Sequence, residues 1–151
     1  MIDKFRGKYR FLSNFYPANV VLAGADYPSV EHAYQASKTS NPWIRKNIMS
    51  IKEPRDVKIY SRSYESRPDW EEFKPKIMFD LLTQKFSKDP LRQMLSETGD
   101  EILIEGNTWH DRYWGKCYCD NCGGNGENLL GILLMRVRDE IRRENGNKKV
   151  S

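Results

Sequence analysis

Three stretches of the chain gather side chains able to make or break bonds. In SVEHAYQASK, residues 29–38, Glu31, Gln35 and Lys38 fall at i, i+4 and i+7, so a carboxylate, a carboxamide and an amine share one stripe over two helical turns. A carboxylate there could move a proton or face a developing positive charge, and an amine drawn out of water could attack carbon. The same spacing also describes the polar face of an ordinary amphipathic helix, and the helix dipole alone favours a carboxylate in a first turn. His32 reads as a packed or surface histidine rather than a ligand.

The second stretch, NTWHDRYWGK (107–116), sets Trp109, His110, Asp111, Tyr113 and Trp114 in a segment with neither helical nor strand periodicity. Aromatic faces beside a carboxylate suit a nucleobase or flavin-like ring, although rings in a loop can equally plug a core. The third, CYCDNCGGNGENLLG (117–131), carries Cys117, Cys119 and Cys122. Three thiolates are one ligand short of a structural zinc site, which His110 or Asp120 could complete; a reduced cysteine cluster is the bland alternative. The GGNG turn that follows leads into Asn128 and a helix, an arrangement that can present free backbone N–H groups to phosphate. It does not have the spacing of a nucleotide-triphosphatase loop.

These segments need elements to hold them. Val20 and Leu22 alternate before Gly24, which marks a hairpin, and Ser29 is placed to cap the helix that follows, with Val30, Ala33, Tyr34 and Ser37 at core spacing. Asn41-Pro42 starts a second helix, with Trp43, Ile44, Asn47, Ile48 and Ile51 inward, and EPRDVKIYSRS starts a third. Asp69 is positioned to cap a long helix with a Trp70, Phe73, Ile77 and Leu81 stripe, which Pro75 should kink or restart. Asp89-Pro90 opens a short helix that Gly99 ends, EILIEG reads as a strand, and Asn128 caps a last helix with Leu129, Ile132, Leu133, Val137 and Ile141 inward. The expectation is an α+β fold: a predominantly helical single domain, residues 1–145, with a small antiparallel sheet and a flexible tail at 146–151.

Length and charge bound the function. The 151 residues suffice for one core, and no apolar run approaches the ~20 residues of a spanning helix. Charged residues interrupt the N-terminal segment where a signal peptide needs an apolar run, so a cytoplasmic protein is expected, with no membrane partner. A net charge of +4 favours phosphate-bearing substrates without demanding nucleic acid, and three clustered cysteines argue against a disulfide framework.

Taken together, FLSNFYP (11–17), SVEHAYQASK, DWEEFKPKIM (69–78), KFSKDPLRQMLSETGDEILIE (85–105), DRYWG (111–115) and GNGENLLGILLMRVR (124–138) resemble the NADAR family of YbiA-like proteins. The resemblance implies a YbiA-like fold and hydrolysis of an N-glycosidic bond on a ribosyl substrate: phosphorylated riboflavin-pathway intermediates, or ADP-ribose on guanine in DNA. It implies functional carboxylates at Glu31 and Asp111, site tryptophans at Trp70 and Trp114, and a covalent role for Lys38. The cysteine segment departs from the family's WGDGG-like loop. Chemistry agrees, because breaking a ribosyl C1′–N bond builds positive charge that carboxylates stabilise, while stacked rings orient the base.

On that reading Asn14 or Gln35 could hydrogen-bond the substrate, and Arg6, Arg10, Gly124 and Asn128 are candidates around its phosphates. Either a carboxylate activates water, or Lys38 attacks C1′ and forms an imine. No cofactor is required for catalysis, a structural zinc is compatible with the cysteines, and any toxin partner stays unidentified. A non-catalytic reader of ADP-ribose or nucleotide is the rival function, and a zinc-stabilised nucleic-acid module a third.

Overall fold

The computed structural model describes residues 1–150, with side chains through 147. The chain divides into two compact units, Asn14–Lys85 and, from both sides of it in sequence, Met1–Ser13 with the chain from Phe86 onward. Among the described residues no helix is long and apolar enough to cross a membrane.

The unit Asn14–Lys85 is organised around one short helix. Strands β1 (Val20–Leu22) and β2 (Ala25–Tyr27) pair antiparallel, Val20 opposite Tyr27, across Ala23 and Gly24, which both have positive φ as a tight two-residue hairpin turn requires. Helix α1 (Val30–Ser37) begins at Ser29, whose hydroxyl accepts from His32 N at 3.1 Å. Helices α2 (Pro42–Ser50), α3 (Pro54–Tyr60) and α4 (Trp70–Lys85) follow, and all three pack on α1, as does β1. Every residue of α1 is therefore buried. Asn41 caps α2 by accepting from Trp43 N and Ile44 N, but Ile48 alone of the expected α2 stripe is buried and Trp43 stands in solvent.

Helix α4 departs from the expectation in two ways. It runs unbroken through Pro75, and its buried face is Trp70, Met78, Leu81, Leu82 and Lys85, whereas Phe73 lies outside beneath the Arg67 guanidinium at 4.7 Å. Arg67 also holds the Asp69 carboxylate at 2.6 and 3.0 Å, so Asp69 receives the helix through its backbone carbonyl, which accepts from Glu72 N and Phe73 N.

The other unit places α5 (Leu91–Ser96) against α6 (Leu129–Val150). Gly99 follows α5 with φ +64, as expected of a helix-ending glycine. EILIEG is not one strand: Leu103 bridges Ile2 in parallel, and only Gly106–Asn107 forms β3, paired in parallel with β4 (Lys116–Cys117). The run LLGILLM offers two nearly equivalent apolar faces, and the one buried is Leu130, Leu133, Leu134, Val137 and Ile141, which leaves Ile132 exposed. Buried Arg138 lies on that same face and donates to Thr98 Oγ1 and the Glu101 carbonyl, fixing the rotation. The helix continues past Asn145, where a tail is expected; the side chains of 148–150 and all of residue 151 lie outside the described residues.

Asn128 caps differently from the expectation. With φ +54, it turns its amide away from α6: Oδ1 accepts from Glu105 N and Nδ2 donates to the Leu103 carbonyl, each at 2.9 Å. The helix approaches Leu103 so closely that a Cβ on Gly131 would overlap its carbonyl. Asn128→Ala leaves a buried N–H and C=O unpaired and forces alanine into the left-handed region, a cost of about 2–4 kcal/mol. Urea titration should show that loss, and Asn128→Gly, which relieves only the backbone, should recover about 1 kcal/mol of it; wild-type stability in both variants would refute the staple.

Candidate active site

The expected site residues fall into two sets, one in each unit. Asn14, Glu31, Gln35, Lys38 and Trp70 belong to Asn14–Lys85; Arg6, Asp111, Trp114, Gly124 and Asn128 belong to the other.

In the first set, the polar stripe of α1 is not a solvated face. Glu31 is 7% exposed and Gln35 4%, in the middle of the packed unit. Gln35 Nε2 donates to Glu31 Oε1 at 2.8 Å, and Glu31 N donates to the Asn14 carbonyl at 3.1 Å. That bond fixes the Gln35 amide, since the reverse orientation would set its oxygen against the carboxylate. Gln35 Oε1 and Asn14 Oδ1 are buried and have no hydrogen-bond partner among the described residues, which leaves two acceptors open. Asn14 Nδ2 rests on the Met78 sulfur at 3.5 Å.

Lys38 ends α1 half-buried, its Nζ 5.5 Å from the Tyr34 ring centre and 5.9 Å from that of Trp70. Those two rings meet at 5.2 Å with planes 53° apart, forming a cradle. Burial pushes the Lys38 ammonium below the usual lysine range; Glu31 opposes that shift, and Lys74 and Lys58 reinforce it. Sequence reasoning put Tyr34 in the core and missed Tyr64, whose hydroxyl donates to the Gln35 carbonyl at 2.8 Å and is driven well above the usual phenol range by burial. No periodicity marks Tyr64, because it stands in irregular chain after α3.

His32 is structural, as expected. Its Nδ1 meets Ser29 Oγ at 2.6 Å and its Nε2 meets the Ile51 carbonyl at 2.7 Å, so Nε2 carries the proton and Nδ1 accepts. Burial holds the ring neutral, outweighing the Ile51 carbonyl.

The second set centres on a turn wound about Asn107, a buried residue that the sequence did not single out. Its Oδ1 accepts from Trp109 N and Asp111 N, while its Nδ2 donates to the Asp111 carbonyl and the Glu105 carboxylate. Asp111 Oδ1 in turn accepts from Tyr113 N at 3.1 Å and Trp114 N at 2.9 Å. Trp114 packs edge-on to Tyr113 at 4.8 Å, whereas Trp109 is half exposed. Arg6 and Arg10 are exposed, at the entry and in the last turn of a 3-10 helix, Gly7–Leu12.

Most of the amides expected to face phosphate at GGNG are engaged within the chain. The amides of Gly123, Gly124 and Asn125 donate to the carbonyls of Cys119, Cys117 and Cys122, and those of Asn128, Leu129 and Leu130 to Gly115, Tyr113 and Trp114. The Gly124 amide and the backbone and side chain of Asn128 are thus engaged within the chain's own structure.

The same loop gathers His110 with the three cysteines, their donor atoms all within 4.8 Å of one another. Burial raises the Cys117 thiol, but the backbone amide of Cys119, the neighbouring thiols and the His110 amide outweigh it and bring it down to about 7, while the nearby Cys117 and Cys119 sulfurs push Cys122 up to about 11.

Residues 3–142 match the NADAR domain. The chain belongs to the NADAR family. Among its relatives are an N-glycosidase of Nostoc punctiforme, 35% identical over 142 residues (89% of this chain, 86% of that one), and the N-glycosidase YbiA of Escherichia coli, 33% identical over 136 residues (88% and 82%). A riboflavin biosynthesis protein of Vibrio vulnificus is 34% identical over 135 residues; they are 87% of this chain but 35% of that protein, so the chain spans about a third of its length. The solution structure of E. coli YbiA aligns with a TM-score of 0.77 at 30% identity, covering 96% of this NADAR chain and 89% of that one. The predominantly helical α+β fold is thus that of YbiA.

Two variants separate the structural and chemical uses of Asp111. Asp111→Asn keeps an oxygen to accept from Tyr113 N and Trp114 N and should melt within a degree or two of wild type, whereas Asp111→Ala should lose about 1–2 kcal/mol. Equal losses in thermal denaturation would show that the carboxylate charge, not the turn, is what the fold uses.

Proposed function

We propose that this NADAR chain is a hydrolase that cleaves the N-glycosidic bond between a ribosyl C1′ and a base. The observation that carries the reading is the desolvated Lys38 amine, held between Tyr34 and Trp70 at the end of the buried Glu31–Gln35 stripe. The names of the N-glycosidase relatives support the bond cleaved, and the riboflavin biosynthesis name of another supports a substrate from that pathway.

In the route this geometry favours, the uncharged Nζ bonds to C1′ as the C1′–N bond breaks, and the electron pair leaves on the base nitrogen, which takes up a proton. Nζ then gives up a proton, the C1′–O4′ bond breaks with its electron pair going to O4′, which takes up a proton as the ring opens, and an imine links Lys38 to C1′. Water adds to C1′, restoring the amine and releasing the sugar. Glu31 is the carboxylate that moves these protons, with Gln35 orienting it. The faces of Tyr34 and Trp70 attract positive charge by about 0.5–2 kcal/mol, which stabilises the cationic sugar and imine alike. Asn14 Oδ1 and Gln35 Oε1 accept from substrate hydroxyls or the base edge.

The substrate is either a phosphorylated riboflavin-pathway intermediate or ADP-ribose on guanine in DNA, met in the cytoplasm, and residues 1–145 act as one functional domain. No step requires a metal or organic cofactor; the His110 and cysteine cluster is read as a structural zinc site.

Borohydride added during turnover of each substrate should fix a ribosyl adduct on the peptide carrying Lys38, and Lys38→Arg should be inactive, because a guanidinium cannot form the imine. Glu31→Gln should lower kcat at least about a hundredfold. If Lys38→Arg turns over and nothing is trapped, a carboxylate activates water instead; binding without turnover of any substrate would leave a reader module. Because the attacking amine must be neutral and its pKa is depressed, kcat/KM should fall as pH drops through a limb displaced below the ordinary lysine value of 10.5. Lys38→Arg should abolish any residual imine-dependent limb.

A further inference from the structure

The loop that carries the three cysteines and the GGNG turn holds a donor set that the glycosidase chemistry does not use. His110 Nδ1 lies 3.4 Å from Cys122 Sγ, 3.6 Å from Cys119 Sγ and 3.9 Å from Cys117 Sγ. In a tetrahedral site with Zn–S ~2.3 Å and Zn–N ~2.0–2.1 Å, nitrogen and sulfur ligands stand about 3.5 Å apart. The three nitrogen–sulfur distances bracket that value, and all four donor atoms lie within 4.8 Å of one another.

The backbone is shaped for the same end. His110 takes φ +70, a left-handed conformation that costs a histidine free energy, and so faces the three thiols. Gly123 and Gly124, both with positive φ, fold the chain back so that Cys122 meets Cys117 and Cys119; a Cβ on Gly124 would press on the Tyr118 ring. All three cysteines are free thiols, Cys117 and Cys122 buried, in a pattern that leaves one sulfur over in any disulfide pairing. Soft thiolates with one imidazole select zinc over magnesium or calcium.

We propose that His110, Cys117, Cys119 and Cys122 bind one Zn(II) in a closed tetrahedral site, and that the ion holds the loop from Asn107 to Asn128 in place. His110 directly precedes Asp111, so the ion and the Asn107 side chain clamp the Asp111 turn from two sides. All four protein ligands are filled, so no position is left for a catalytic water, and the ion acts by positioning. Asp120, the other residue considered as fourth ligand, is not needed. This inference stands whether or not the glycosidase reading does.

Elemental analysis of the purified full chain should find about one zinc per chain. Cobalt(II) exchanged into the wild-type protein should give the intense visible bands of tetrahedral coordination and the near-ultraviolet charge transfer of thiolate ligation, both lost on adding zinc. Cys119→Ser, whose sulfur is the least buried of the three, should weaken cobalt binding at least about tenfold, and Asp120→Asn should bind as wild type. Chelation should lower the melting temperature and change tryptophan emission from Trp109 and Trp114, a readout independent of activity. Protein that takes up no cobalt, or takes it up with octahedral bands, would overturn the site. Cobalt binding lost in Asp120→Asn and kept in His110→Ala would overturn the ligand assignment.

Discussion

The complete burial of one eight-residue helix that is half polar governs the rest of the Asn14–Lys85 unit. Three helices and both hairpin strands close over α1, and its carboxylate, imidazole and carboxamide must all find their places inside. A buried carboxylate costs several kcal/mol in lost hydration, and an apolar side chain at position 31 would fill the space without that cost. Gln35 and the first-turn dipole return part of it. His32 spends both ring nitrogens on Ser29 and Ile51, which is structure; Gln35 donates to Glu31, and Lys38 Nζ lies 5.5 and 5.9 Å from the Tyr34 and Trp70 ring centres, the grouping on which the proposed chemistry at a sugar carbon rests.

The loop from Asn107 to Asn128 meets a different constraint. It has almost no strand or helix of its own, so side chains must supply what a ladder would. Asn107 makes four such bonds, Asp111 two, and Asn128 joins the far end to Leu103 and Glu105. The first amides of α6 close on the carbonyls of Tyr113 and Trp114, so the segment carrying Asp111 is tied to the longest helix of the chain. A metal at His110 and the cysteines would complete a frame already built from hydrogen bonds.

Much of this was legible in the sequence where local chemistry decides it. Ser29, Asn41-Pro42 and Gly99 marked helix ends correctly, and the Val20 to Tyr27 hairpin followed from alternation and Gly24. The family motifs carried the fold class as a whole. Where two faces of a helix are about equally apolar, as in LLGILLM, periodicity could not choose, and the choice fell to Arg138 reaching Thr98 and Glu101 from distant chain. At the GGNG turn the sequence could not show that the amides of residues 123–125 meet carbonyls of the cysteine segment, and those of 128–130 carbonyls of residues 113–115. Tyr64 was invisible because its partner, the Gln35 carbonyl, lies 29 residues away in sequence; the Asn107 side chain bonds only to near neighbours, but a turn wound about an asparagine leaves no apolar period to read. The polar stripe of α1 was read correctly in spacing, but only packing on all sides distinguishes a buried polar row from a wet one.

The central claim is that the Lys38 amine sits in a desolvated cradle and feels the Glu31 charge. It is tested most directly by following the Lys38 side chain by NMR through a pH titration, in wild type and in Glu31→Gln. The account predicts a midpoint below 10.5 in the wild type and a lower one still in the variant, because Glu31 is the group that supports the charged amine. A midpoint at the ordinary lysine value in both proteins would mean a hydrated ammonium uncoupled from Glu31, and would contradict the account.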